Sequence, residues 1–65
     1  MHISKRKIKI YMALNGLTTK VLANRMNTQA NNLSTVLTRG TCRPETAVRI
    51  AKALGVDVAD IIEEV

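Results

Sequence analysis

Apolar side chains recur every three to four residues along the chain, and four turn signals divide them into five segments. The first segment covers residues 4–14, where Ile8, Tyr11 and Met12 have the i, i+3, i+4 spacing of one helical face. The Asn-Gly pair at positions 15–16 then supplies a helix stop. We therefore predict that the chain begins with a helix of about three turns.

The second and third segments meet at Asn27. Thr18 suits the N-cap of a second helix, because its hydroxyl can accept a backbone N–H. Asn27 ends that helix, since Asn tolerates the left-handed backbone conformation nearly as well as glycine. Thr28 starts the third segment, which has apolar side chains on one side and amide and hydroxyl groups on the other: Gln29, Asn31, Asn32, Ser34 and Thr35.

A loop and two further helices are predicted after the third segment. The loop covers residues 38–44, is broken by Gly40 and closes at Pro44, a residue that suits the first position of a helix. The fourth helix covers about Glu45 to Leu54 and stops at a glycine. The last short helix begins near Asp57 as its cap and contains four apolar residues, Val58, Ile61, Ile62 and Val65.

Composition limits the class of protein. Tyr11 is the only aromatic residue, so the core consists of aliphatic residues, Met and Ala, which favours helices over a β-sandwich. Cys42 has no disulfide partner within the chain, and together with His2 it cannot complete a four-ligand zinc site. No apolar run approaches the roughly 20 residues that span a bilayer. We expect residues 1–65 to form one all-α cytoplasmic domain with no metal, cofactor, membrane contact or small-molecule substrate.

Charge is distributed unevenly along the chain. Residues 1–44 carry eight Lys and Arg side chains and no Asp or Glu, whereas residues 45–65 sum to −3. A basic region of this length suits a polyanion such as nucleic acid, although a solvated basic surface is the alternative. The basic residues include a cluster at positions 5–7, for which a frayed terminus is the alternative, and Arg39 and Arg43 around the predicted loop. Such side chains neutralise phosphates and position a protein without reading sequence.

The third segment has the side chains that major-groove recognition requires. Asn and Gln can bond adenine through two atoms at once, and the Thr methyl can contact thymine. A solvated face is the alternative, but Glu and Lys have better helix propensity than Asn and are the usual choice there. The predicted base-reading residues of this amide face are Gln29, Asn31, Asn32 and Thr35.

Several short motifs, correctly spaced, resemble the Cro and phage-repressor type of helix-turn-helix domain. They are Leu-Thr-Thr-Lys-Val-Leu-Ala at 17–23, Asn27, Leu-Ser-Thr-Val at 33–36, Gly40, Arg-Pro at 43–44 and Ile-Ala-Lys-Ala-Leu-Gly-Val at 50–56. The similarity covers about residues 8–62. It implies a compact five-helix, lambda-repressor-like fold whose second and third helices bind DNA.

The resemblance also implies roles for individual residues. Thr19 would contact phosphate, and Ala30, Asn31 and Thr35 occupy base-reading positions, where Ala30 offers only apolar contact. The full set of predicted phosphate contacts is Thr19, Lys20, Arg39, Thr41 and Arg43. By the same analogy, Val56 and Ile61 face the core, so the last helix keeps an exposed apolar strip for a two-fold dimer, namely Val58, Ile62 and Val65.

The chain departs from the family pattern at three points. Asn27 stands where the turn usually has Gly, and the interval from Leu33 to Gly40 is one residue longer than usual. Met12 and Leu37 occupy positions where many relatives carry an Arg–Glu pair. Because replacing both partners of a buried ion pair is often neutral or favourable, we predict an apolar Met12–Leu37 contact.

These features favour a sequence-specific double-stranded DNA-binding regulator, expected to act as a repressor and to bind its operator as a homodimer. The alternative is a protein-interaction module, such as an antitoxin-like subunit, that keeps the fold. An enzyme is not expected: Cys42 and His2 have no third orienting group in view, and the carboxylates are confined to the last 21 residues.

Overall fold

The computed structural model describes residues 1–63 and is helical, with four α-helices among these residues. They are α1 (Lys5–Leu14), α2 (Thr19–Arg25), α3 (Ala30–Arg39) and α4 (Pro44–Leu54). A single 3₁₀ turn, Val58–Asp60, follows α4. The all-α prediction is correct, but the expected fifth helix is reduced to this turn.

Local capping determines where α1 and α2 begin. The Ser4 hydroxyl accepts from the Lys7 N–H at 3.2 Å, and the Thr18 hydroxyl accepts from the Val21 N–H at the same distance. Each bond satisfies one backbone N–H that the first turn of a helix leaves without a partner. The role predicted for Thr18 is thereby confirmed.

The boundaries of α3 differ from the prediction at both ends. Thr28 does not begin the helix, because its N–H donates to Ala23 O at 3.0 Å and so belongs to the preceding turn. Gln29 is the N-cap and makes no side-chain capping bond. At the other end the helix continues through Arg39 and stops only at Gly40, whose φ of 73° is left-handed. The connection therefore covers residues 40–43, three residues fewer than the predicted loop: two are lost because the glycine ends the helix instead of breaking the middle of a loop, and one because Pro44 begins α4.

Backbone pairing of the two ends of the chain explains the missing fifth helix. The Ser4 N–H donates to Ile61 O at 2.7 Å, and the Glu63 N–H donates to His2 O at 3.1 Å, around an antiparallel bridge between Ile3 and Ile62. These bonds engage backbone groups that a continued helix would need for its own hydrogen bonds. The chain after the 3₁₀ turn therefore pairs with the N-terminal segment and does not continue as a helix.

The core receives one large, fully buried aliphatic side chain from each helix and one from the C-terminal segment: Ile8, Leu22, Leu33, Ile50 and Ile61. Met12 and Leu37 are 7% and 4% exposed and belong to the same apolar cluster. Their burial is what the predicted apolar replacement of an ion pair requires. Val56 packs against this cluster while partly exposed, and Ile61 is fully buried, as the family analogy implied.

Two arginines join the end of α2 to α4. The Arg49 guanidinium donates to Met26 O, and Arg25 Nη1 donates to Ala53 O at 3.5 Å. Both carbonyls lie near helix ends, where intrahelical donors run out. The turn after α2 is thus held against the fourth helix.

Across residues 1–63, no helix is long and apolar enough to cross a membrane.

Ile3→Ala tests the contribution of the N-terminal segment to stability. Ile3 is 2% exposed, so the substitution removes buried apolar atoms and leaves a cavity. We expect a loss of about 2 kcal/mol or more in the free energy of unfolding, measured by urea denaturation. Ile10→Ala is the control, because Ile10 is 49% exposed and should change stability much less. Equal effects of the two substitutions would show that the segment does not stabilise the fold.

Candidate nucleic-acid interface

The two helices of the candidate interface are joined by a tight turn at residues 26–29. Met26 is buried beneath it, and Asn27 has a φ of 55°, the one left-handed non-glycine residue among those described. The predicted left-handed conformation of Asn27 is confirmed. Because this conformation lets the chain reverse within four residues, it fixes how the start of α3 projects from α2.

The start of α3 exposes the predicted amide face. Gln29 precedes the first turn, and Asn31, Asn32 and Thr35 are all exposed on the helix. Ala30 differs from these residues, since it is partly buried and packs against the core. The structure therefore brings four of the five predicted base-reading side chains to one open surface and leaves Ala30 little area to offer.

A side-chain bond restricts how Thr35 can interact. Its hydroxyl donates to Asn31 O at 2.9 Å, one turn earlier in α3. In this rotamer the hydroxyl proton is used, so Thr35 has its oxygen lone pairs and its methyl group available for a base edge. Thr35 is thereby suited to accept a hydrogen bond or to contact a thymine methyl.

Sequence reasoning left Ser34 and Thr38 out of the site. Because α3 continues to Arg39, Thr38 lies one turn beyond Ser34, and the two line an open hollow of about 380 Å³ together with Thr35 and Arg39. Both side chains are exposed. Their i, i+4 spacing was the signal that could have found them, but it was hidden by assigning Thr38 to a loop.

The predicted phosphate contacts lie at the ends of three helices. Thr19 and Lys20 are the first residues of α2; Thr19 is partly exposed and Lys20 is exposed. Arg39 is in the last turn of α3, and Arg43 is the N-cap of α4; both are exposed. Thr41 is partly buried, because it forms an antiparallel bridge with His2.

The N-terminal segment holds the connection between α3 and α4 in place. The Ile3 N–H donates to Gly40 O at 3.0 Å, and the Cys42 N–H donates to Met1 O at the same distance. Three predicted contact residues around this connection, Arg39, Thr41 and Arg43, are therefore presented on a backbone tied to the rest of the fold. Residues 1–44 contain no Asp or Glu, and the first acidic residue of the chain is Glu45. A phosphate that approaches α2, α3 or the connection between α3 and α4 therefore meets cations, and none of these segments contains a carboxylate that would repel it.

Cys42 lies in this connection and is partly buried. Burial raises the pKa of its thiol, and the nearby N-terminal ammonium opposes that change. A raised pKa leaves less thiolate at neutral pH, so the site gives Cys42 no activation as a nucleophile.

The residues expected to form a dimer strip are arranged differently from the prediction. Val58 packs against the core, and Ile62 is partly buried beside Ile3. Val65 lies outside the described residues. Within residues 1–63, an exposed strip along a fifth helix is therefore not present, because the 3₁₀ turn and the pairing of the chain ends replace that helix.

A helix-turn-helix unit with an exposed amide face and basic ends defines a class of DNA-binding domain. The sequence model of the Cro/C1-type HTH DNA-binding domain matches residues 7–65. The chain therefore belongs to this family. Searches of the curated proteins and of the solved structures give no match.

Asn27→Ala tests the turn between α2 and α3. Alanine pays the steric cost of the left-handed conformation, so we expect a loss of roughly 1–2 kcal/mol in the free energy of unfolding. Asn27→Gly should stay within about 0.5 kcal/mol of the wild type, since glycine has no Cβ to clash. Asn27 is exposed, which leaves little packing to lose in either variant. The comparison uses urea denaturation, and identical curves for the two variants would contradict the argument.

Proposed function

We propose that this protein is a sequence-specific double-stranded DNA-binding regulator of transcription that acts as a repressor and reads the major groove with α3. The observation that carries the proposal is the neutral amide and hydroxyl face of α3, set between basic helix ends. Hydrogen bonds from Asn31, Asn32 and Thr35 would select bases, with Gln29 and Ala30 at the edge of the contact. Repression would follow from occupying a promoter site.

Phosphate contacts would set the register of α3 in the groove. We assign this role to Thr19, Lys20, Arg39, Thr41 and Arg43, which come from α2, from α3 and from the connection to α4. Contacts to the DNA backbone from separate elements would restrict the tilt and depth of the reading helix. The N-terminal pairing at Gly40 and Cys42 supports this role by fixing the connection.

The proposed active form is a homodimer on two half-sites about one turn of DNA apart. One α3 offers few base contacts, and a second copy doubles them. The C-terminal end around Val58, Ile62 and Val65 is the proposed start of the dimer contact. Its acidic residues, Asp57 and Asp60 among them, would keep this end away from phosphate.

Selection of bound sequences from a random duplex pool tests the function as a whole. A single preferred motif, in two inverted copies, is the expected result. A pool that stays random after several rounds would overturn the proposal and favour a protein-interaction module of the antitoxin type.

Asn31→Ala tests base reading. Loss of a bidentate contact should weaken binding to the selected site by about 1–3 kcal/mol and leave binding to random duplex nearly unchanged. Both affinities are measured by fluorescence anisotropy at one salt concentration. Equal losses on the two duplexes would show that Asn31 does not read a base.

Arg43→Ala tests phosphate binding. Because the contact would be to the backbone, affinity should fall on every duplex, and the slope of log K against log salt should decrease by about one. Arg25→Ala is the control, since Arg25 lies at the end of α2 facing α4 and donates to Ala53 O. A salt slope that is unchanged in Arg43→Ala would remove this residue from the interface.

A further inference from the structure

The outer face of α1 carries apolar side chains that none of residues 1–63 covers. Leu14 is 75% exposed and Ile10 is 49% exposed, the two highest values among the large apolar side chains of the described residues. Their i, i+4 spacing puts them on one helical face. Scattered apolar residues on a surface are normal, but two adjacent ones on one face mark a candidate contact surface.

The chain after α4 runs beside this face. Asn15 Nδ2 donates to Leu54 O at 3.5 Å, which brings the end of α1 next to the end of α4. At the other end of α1, Ile3 and Ile62 form their bridge. The segment between Leu54 and Ile62 therefore runs antiparallel to α1 and brings the 3₁₀ turn alongside it.

Between α1 and the 3₁₀ turn lies an open hollow of about 380 Å³. It is lined by apolar and aromatic groups together with one cation and one carboxylate: Lys7, Ile10, Tyr11, Leu14, Ala59 and Asp60. The Asp60 carboxylate already accepts from the Asp57 N–H at 3.3 Å, which holds it at the rim. The rim therefore carries one positive and one negative charge and has no net charge, which limits the partners that can bind there.

A second hollow on the other side of Ile10 makes a useful comparison. It measures about 610 Å³ and is lined by Lys5, Arg6, Lys9, Ile10 and Ala13. Three cations line its rim, so two copies of the chain would repel one another there. The balanced hollow has no such repulsion, and a partner carrying the same charges in inverted order would complement it.

We propose that a second copy of this chain docks on the surface formed by Lys7, Ile10, Leu14, Ala59 and Asp60. A two-fold axis near Ile10 and Leu14 would bury these side chains against their equivalents. It would also set Lys7 of each copy against the partner's Asp60. Such an interface is isologous, because the same patch serves both subunits.

This inference rests on the dimeric form in the proposed function and extends its contact from the C-terminal end onto α1. The lining residues come only from α1 and the 3₁₀ turn. None comes from α2, α3 or residues 40–43, so the docked copy does not compete with DNA for the reading helix. The apolar area lies mostly on α1, which replaces the strip expected on a fifth helix.

Charge reversal gives the decisive test. Lys7→Glu and Asp60→Lys each turn both intermolecular pairs of a homodimer into like-charged pairs. We expect each to raise the dimer Kd about tenfold. In an equimolar mixture the two variants can form a heterodimer. In it, the glutamate introduced at position 7 of one chain faces the lysine introduced at position 60 of the other, and the unchanged Asp60 of the first chain faces the unchanged Lys7 of the second. The mixture should therefore recover a dimer Kd close to that of the wild type.

Mixing the two variants also distinguishes a Lys7–Asp60 contact between two chains from one within a single chain. If Lys7 and Asp60 interacted only within a chain, mixing two variants would restore nothing. Dimerisation is measured without DNA by sedimentation equilibrium up to about 1 mM, where complexes with millimolar Kd are still detected. Thermal melting by circular dichroism confirms that each variant folds, which matters because Asp60→Lys also removes a capping bond.

Leu14→Lys tests the apolar part of the surface. Burying an ammonium at the centre of the contact should abolish the dimer. Val48→Lys is the matched control, because Val48 is 39% exposed on α4 and lies outside the hollow. Binding to a duplex with one half-site should be the same for both variants, so a failure of DNA binding is distinguished from a failure of dimerisation.

Three results would overturn the inference. One is a wild type that stays monomeric over the whole concentration range, the second is a mixture no tighter than its components, and the third is equal dimerisation of Leu14→Lys and Val48→Lys. None of these results bears on half-site binding, which tests the proposed function by itself.

Discussion

Burial of one large aliphatic side chain from every element is the constraint on which this structure depends. Ile8, Leu22, Leu33, Ile50 and Ile61 are all fully buried. A chain of 65 residues has little core to spare, and here the core has no disulfide and consists of aliphatic side chains and two methionines, with the one aromatic residue packed against it. Each helix must therefore meet the same small centre, which fixes the orientation of α3 and hence which of its faces remains open.

The N-terminal segment completes this core and connects distant parts of the chain. Ile3 is buried, and the backbone of residues 1–4 bonds to Gly40, Cys42, Ile61 and Glu63. The same four residues thus position the connection after α3 and the end of the chain. The proposed phosphate contacts around residues 40–43 and the C-terminal surface consequently share one structural support, although they lie on different elements.

Polar groups lie at the helix ends and on one face of α3. Thr18 satisfies a backbone N–H at the start of α2, and Arg49 satisfies the Met26 carbonyl at its end. The amide side chains of α3 have no such structural duty and stay exposed. Met12 and Leu37 fit this division, since both are buried in the apolar cluster and leave the centre without the cost of buried charges.

Local signals in the sequence predict the helical class, the cap at Thr18, the left-handed Asn27 and the amide face of α3. They suffice because capping and periodicity depend on residues within one or two helical turns of each other. The end of α3, the loss of the fifth helix and the exposure of Ile10 and Leu14 were not predictable in this way. Each depends on contacts between residues far apart in the chain: the pairing of residues 2–4 with 61–63 competes directly with helix formation, and only the position of the resulting turn determines which face of α1 is left uncovered.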